Sequence, residues 1–261
     1  MASVLVTGGG RGLGLGLVRL LASLPASTIS KVFVTTRGSP SEDLRKIVET
    51  SGGRVINVEC EVVDAASVKR AAAEVEEKLG GEGLDILINN VAVIPQMSGL
   101  YPQGIRNMEA EEMLQEFNVN VASTHRVTAA FIPLLQQGKQ KKIAMVSSSA
   151  GSISWANRYS FSPAYAYKIT KAAMNMMAVQ YAIEYEKDGF TFLTLSPGMQ
   201  WLKTTMGGDM ADLDVETGAK ATWDIVNKAD KSYNGKFYNI HVPGWEHNEG
   251  VNQYDGLEIP W

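Results

Sequence analysis

The chain has 261 residues, 45% hydrophobic and 20% charged, with a formal net charge of −4. This composition can bury a sizeable core and is too apolar for a disordered chain; its acidic balance, interrupted only by Lys139, Lys141 and Lys142, excludes a nucleic-acid footprint. One cysteine, Cys60 in the apolar run RVINVECEVV, excludes an intramolecular disulfide and reads as a buried, unreactive thiol in a reducing compartment.

Short β-branched runs alternate with helical patterns along the chain. In order they are SVLVT, a helix over 12–24, KVFVTT, a helix over 41–50, RVINV, a helix over 65–79, LDILINN and a helix over 110–137. KIAMVSS, a helix over 163–187, FTFLTLS, a helix over 215–228 and KFYNI complete seven strands and six helices. Apolar strands separated by helices predict an α/β fold, a doubly wound seven-stranded parallel sheet buried between two helical layers. No Pro/Gly/Ser-rich linker divides the chain, so one domain is predicted over 1–261. Ligands collect at the carboxyl ends of the strands in such folds, where the aperiodic stretches 91–108, 149–162 and 199–213 lie. A first strand at Ala2 or Ser3 leaves no room for a leader, and no apolar run approaches the ~18 residues of a bilayer span. A cytoplasmic location without a membrane partner is therefore predicted. His125, His241 and His247 are the only histidines, and no Cys/His cluster has metal-ligand spacing, so no metal is expected.

Thr7, Gly8, Gly12 and Gly14 in TGGGRGLG close the first predicted strand and open a helix. There, small residues admit backbone to a pyrophosphate, and the helix start supplies N–H donors. The second strand ends in Thr35, Thr36 and Arg37 rather than a carboxylate. A carboxylate would bind a ribose 2′-hydroxyl, whereas Arg37, joined by Arg11, can pair with a 2′-phosphate, so NADP(H) is the predicted cofactor.

Tyr167 and Lys171 stand four residues apart, one helical turn, so the lysine ammonium is expected beside the phenol and to lower its pKa. Tyr165 has Ile169 at the same spacing and lacks that cation.

With these residues in hand, the chain resembles the short-chain dehydrogenase/reductase family in its single-domain, Rossmann-like form. The motifs are TGGGRGLG, YAYKITK, VSSSAG, FNVNVAST and LSPGM; TTMGG and the terminal YDGLEIPW are most similar to carbonyl-reductase-like and C-factor-like members. The resemblance implies reduction of a small-molecule carbonyl substrate by hydride transfer, and similar enzymes serve as ketoreductases in fungal polyketide pathways. It implies Tyr167 as general acid, with Lys171 lowering its pKa and holding the nicotinamide ribose. Ser148, which precedes Gly151 by the family spacing that Ser147 and Ser149 lack, orients the substrate oxygen. Asn120 holds a water in the proton relay, with Asn118 as the alternative. Cofactor contacts are implied for Thr7, Gly8, Arg11, Gly12, Leu13 and Gly14 in the first turn, and for Arg37, Glu61, Val62 and Asn90 after later strands. Pro197, Gly198 and Thr204 follow the sixth strand, and Tyr167 and Lys171 contribute as well.

The chain departs from the family pattern in three places. NNVA replaces N-N-A-G, so Ala92 stands for the glycine and is expected to crowd the adenosine side; Glu61 replaces the usual aspartate toward adenine; and two extra residues place Trp201 and Leu202 near the substrate mouth. Ile94, Met97, Tyr101, Trp155, Tyr159, Phe161, Met199 and Trp201 are the predicted lining for a bulky, flat ketone. Met174, Met176 and Met177, with the helix over 110–137, are expected to face a second subunit in a homodimer or homotetramer. An NADPH-binding sensor and a scaffold for non-redox cyclisation or isomerisation are the alternative readings.

Overall fold

The computed structural model describes residues 1–94, 104–197 and 211–261. Seven strands are present: β1 (Ala2–Val6), β2 (Ile29–Thr36), β3 (Val55–Glu59), β4 (Ile86–Asn89), β5 (Lys142–Val146), β6 (Thr191–Ser196) and β7 (Lys236–Asn239). They form one sheet in the order β3-β2-β1-β4-β5-β6-β7, and every pairing is parallel. The α-helices are α1 (Gly12–Ser23), α2 (Glu42–Thr50), α3 (Ala65–Leu79), α4 (Ala110–Phe117), α5 (Ser123–Gln137), α6 (Tyr165–Glu184) and α7 (Val215–Lys228).

The two-residue period of the strands sorts the core into two layers. Val4, Val6, Val32, Val34, Ile86 and Ile88 face α1 and α7, where Leu17, Leu21 and Val226 cover them. Leu5, Phe33, Leu87, Ile143, Met145 and Phe192 face the opposite way, beneath Val75 of α3, Phe131 of α5 and Met174 of α6. Each fully buried aliphatic side chain contributes about 1.5–3 kcal/mol. The strand order reverses between β1 and β4, which opens the crevice at their carboxyl ends.

The predicted helix over 110–137 is divided. A π-helical turn over Asn118–Ala122 separates α4 from α5, inserting one residue into the repeat and turning Asn120 fully inward. The predicted helix over 163–187 starts at Tyr165 and ends in a separate 3-10 turn over Glu186–Asp188.

Asp85, just before β4, ties the amino end of the sheet together. Its buried carboxylate accepts from the backbone N–H of Ser3 at 2.9 Å, Lys139 at 2.8 Å and Gln140 at 3.2 Å. Asp85→Ala leaves three donors without their acceptor and is expected to cost about 3 kcal/mol, read as a lower denaturation midpoint at unchanged slope. A loss below about 0.5 kcal/mol would contradict this role.

The described methionines do not form one outward face. Met174 is buried in the core and Met177 packs against it, while Met176 is exposed beside Ile169 and Ile183 on the outer side of α6. The methionine cluster expected to meet a second subunit is thus largely intramolecular. No described helix is long and apolar enough to cross a membrane, and no group of three metal-ligating residues occurs among the described residues.

Candidate active site

The glycine turn lies at the crevice. Gly8 has a φ of +68°, a conformation that favours glycine, and its N–H donates to Thr35 Oγ1 at 3.2 Å. A Cβ on Gly14 would stand 2.4 Å from Gly8 O, so the helix packs against the turn through bare backbone. Thr7 Oγ1 accepts from Asn90 N at 2.9 Å, and Asn90 Nδ2 returns to Thr7 O at 2.9 Å, which locks β1 to β4. Arg11 precedes α1 in extended conformation, and its side chain gives the helix start no capping bond. These features fit an anionic pyrophosphate: backbone can approach, and the first-turn N–H groups of α1 have no side-chain cap. Arg11 and Arg37 are exposed beside the ends of β1 and β2, and neither has an ion pair among the described residues.

Leu13 is buried behind this turn, and Val62 is buried after β3. Glu61 turns back on its own segment, with Oε1 accepting from Val63 N at 3.4 Å. Its neighbour Cys60 is buried with its thiol pushed up to about 11, first by desolvation and then by Glu61, which leaves it a poor nucleophile. Ala92 does not adopt a left-handed conformation, so alanine is accommodated without backbone strain. A Cβ on Gly8 would stand 2.8 Å from a γ-methyl of Val91, a second reason for glycine at that position. Pro197 is buried after β6; Gly198 and Thr204 lie outside the described residues.

The three serines after β5 have separate partners. Ser147 Oγ donates to Asn175 Oδ1 at 2.6 Å, and Ser149 Oγ accepts from Tyr159 at 2.6 Å. Ser148, fully buried, caps the following 3-10 turn over Ser149–Gly151 and hydrogen-bonds Tyr167. Lys171 is 1% exposed, donates from Nζ to Val146 O at 2.9 Å and sits 5.5 Å from the Tyr167 ring centroid. Tyr165 instead has Lys168 over its ring at 5.9 Å. Ser148, Tyr167 and Lys171 therefore converge, whereas Ser147, Ser149 and Tyr165 have other surroundings.

The electrostatics differ from the expectation drawn from spacing. Desolvation raises the Tyr167 pKa well above the ordinary tyrosine value; the Ser148 hydrogen bond opposes this and Glu116 adds to it. Burial lowers Lys171 to about 7, and its ammonium is spent on Val146 O rather than on the phenol. Desolvation outweighs the lysine, so the phenol is held protonated.

Asn120 is placed at the site by the π-turn, but its amide is committed. Oδ1 accepts from Val93 N at 2.8 Å, while Nδ2 donates to Val93 O and Thr170 Oγ1, each at 3.0 Å. The side chain thus clamps the segment after β4 to α6. Its main-chain carbonyl accepts from Thr124 Oγ1 at 3.0 Å. Asn118 is exposed and accepts from Arg126 at 3.0 Å.

The predicted lining is corrected at Tyr159. Tyr159 is a core residue, 1% exposed, with its hydroxyl held by Ser149. Trp155 is covered by Arg158, whose guanidinium is 4.3 Å from the ring centroid. Phe161 is exposed and Ile94 half-buried, while Met97, Tyr101, Met199, Trp201 and Leu202 lie outside the described residues. Sequence reasoning missed Glu116, a buried carboxyl on α4 whose charge acts on Tyr167. Its signal was position: with Met113 and Asn120 it follows the inward stripe of the helix.

Gly151 fixes how closely α6 approaches. A Cβ there would meet Lys171 Cβ at 2.7 Å and Lys171 C at 2.9 Å. Gly151→Ala is expected to cost about 1–3 kcal/mol and to lower turnover by displacing Lys171, checked by denaturation and steady-state kinetics. Unchanged values in both would contradict the close packing.

A doubly wound sheet with an open glycine turn at its switch point, beside a buried serine, tyrosine and lysine, defines a dinucleotide-dependent oxidoreductase. The family model for short chain dehydrogenases matches residues 2–212, and the chain belongs to that family. A short-chain dehydrogenase/reductase of Pestalotiopsis fici, iacC, is 30% identical over 205 residues, covering 76% of this chain and 74% of that protein. The NADPH-bound carbonyl reductase from chicken fatty liver has a TM-score of 0.85 at 29% identity, over 100% of this chain and 94% of that one. The carbonyl reductase Sniffer of Drosophila melanogaster gives 0.86 at 26% identity, over 100% of both chains.

Proposed function

We propose that this chain is a single-domain, NADPH-dependent carbonyl reductase that converts a bulky ketone to an alcohol. The observation that carries the reading is the convergence of Ser148, Tyr167 and Lys171 beside the glycine turn, with the Tyr167 phenol buried and hydrogen-bonded to Ser148. The nicotinamide cofactor, when bound, supplies the hydride.

Thr7, Gly8, Arg11, Gly12, Leu13 and Gly14 would hold its pyrophosphate side, Arg37 with Arg11 its 2′-phosphate, and Glu61, Val62 and Asn90 its adenosine side. Tyr167, Lys171, Pro197, Gly198 and Thr204 complete the assigned contacts. Tyr167 is the general acid that gives its phenolic proton to the carbonyl oxygen, and the Ser148 hydroxyl orients that oxygen. Lys171, titrating near 7, returns a proton toward the phenol, with Asn120 holding a water in the relay. Burial around Tyr167 and Ser148 limits competing proton exchange with solvent. A reducing compartment such as the cytoplasm suits the lone buried thiol. The exposed Met176, Ile169 and Ile183 leave a surface for a homodimer or homotetramer.

The test is NADPH consumption in the presence of aromatic and polycyclic ketones. Ketone-dependent oxidation with alcohol formed in equal amount is the expected result. Tight NADPH binding without turnover of any ketone would favour a cofactor sensor instead.

A further inference from the structure

Glu116 is the buried ionisable group near Tyr167 that the proposed chemistry does not use. It is 6% exposed, and its Oε2 has no hydrogen-bond partner among the described residues. It lies on α4, which packs against the tyrosine helix, one turn before Asn120. Across that packing its charge acts on Tyr167 and raises the phenol's pKa. An unpartnered buried carboxyl costs free energy unless a ligand satisfies it.

We propose that Glu116 is a specificity residue that hydrogen-bonds a hydroxyl group carried by the ketone substrate in addition to its reacting carbonyl. This rests on the carbonyl-reductase reading and narrows it to hydroxyketones. Burial, assisted by the neighbouring Glu112, pushes Glu116 up to about 7, so a neutral acid is available near physiological pH. In that form it has both a donor and an acceptor, the pair that a hydroxyl requires. The surrounding ionisable groups do not supply this partner. Glu112 repels it, Lys168 donates to Tyr159 O at 2.6 Å and Ser162 O at 2.7 Å, and Lys171 donates to Val146 O at 2.9 Å.

The probes are ortho-, meta- and para-hydroxyphenyl methyl ketones, their methyl ethers and phenyl methyl ketone, each with NADPH. At pH 6, wild type is expected to prefer at least one hydroxy isomer over its ether and the parent by about 10-fold in kcat/KM. Glu116→Leu is expected to abolish that preference while still reducing the parent ketone, and Glu116→Gln, with its own donor and acceptor, to keep most of it. Raising pH through about 7 ionises Glu116 and makes charge on Tyr167 costlier, so wild-type reduction should fall. Lys171 titrates in the same range, and the part of the fall missing in Glu116→Gln isolates Glu116.

No hydroxyl preference in wild type, its survival in Glu116→Leu, or an equal loss for all ketones in that variant would overturn the proposal. Binding of the same ketones to the NADPH-loaded protein, followed by tryptophan fluorescence, keeps the test independent of turnover. A Glu116-dependent preference in binding without turnover would sink the reductase reading, and with it a role for Glu116 in choosing what is reduced, leaving only its contact with the ligand hydroxyl; turnover without that preference would keep the reductase reading and overturn the proposal for Glu116.

Discussion

Tyr167→Phe is expected to lower kcat/KM for ketone reduction about 10³-fold while leaving NADPH affinity within about threefold. The substitution removes only the phenolic oxygen. Its ring, 7% exposed and packed near Lys171, still fills the same space, so folding should be preserved. The expected effect is large because burial holds the phenol protonated through the neutral range. As hydride reaches the carbonyl carbon, negative charge develops on oxygen and Tyr167 becomes the proposed proton source. Water cannot replace that proton efficiently in a buried site. Ser148→Ala should cost less, about 10²-fold, because orientation is weakened while the proton donor remains. If Tyr167→Phe retained more than about a tenth of wild-type turnover, another acid would have to act.

Replacing both Arg11 and Arg37 by alanine is expected to reduce the preference for NADPH over NADH by about 30- to 100-fold. Their positions at the ends of β1 and β2 make them the proposed partners of the 2′-phosphate, and charge-assisted hydrogen bonds contribute about 1.5–3 kcal/mol each. Exposure and screening reduce the total below a simple sum. NADH kinetics serve as the internal control, since that cofactor lacks the phosphate. A parallel loss for both cofactors would indicate disturbance of the glycine turn rather than loss of phosphate recognition.

The alternating strand and helix periods were enough to predict the sheet, because each parallel strand is apolar on both faces and each covering helix must be amphipathic. Helix boundaries at Ala65–Leu79 and Val215–Lys228 match the expected spans, aided by Asp64 and Asp214 as N-caps. The π-turn was not legible, since one extra residue over Asn118–Ala122 barely alters an apolar pattern twenty-eight positions long. Spacing brought Tyr167 and Lys171 together but carried no information on desolvation, which reverses the expected direction of the tyrosine shift. Tyr159 read as a pocket aromatic because sequence does not show that Ser149 accepts its hydroxyl inside the core. Glu116 was not singled out because a charged residue is ordinarily exposed; its inward direction depends on how α4 packs against α6.

The central claim is hydride transfer to a carbonyl. It is tested most directly by incubating the protein with a reducible ketone and NADPH deuterated at nicotinamide C4, then measuring the mass of the product. An alcohol with one deuterium on the former carbonyl carbon, from one face of the nicotinamide only, is the result this account requires. A product of unchanged oxidation state without deuterium, formed while NADPH is retained, would contradict it and point to non-redox chemistry.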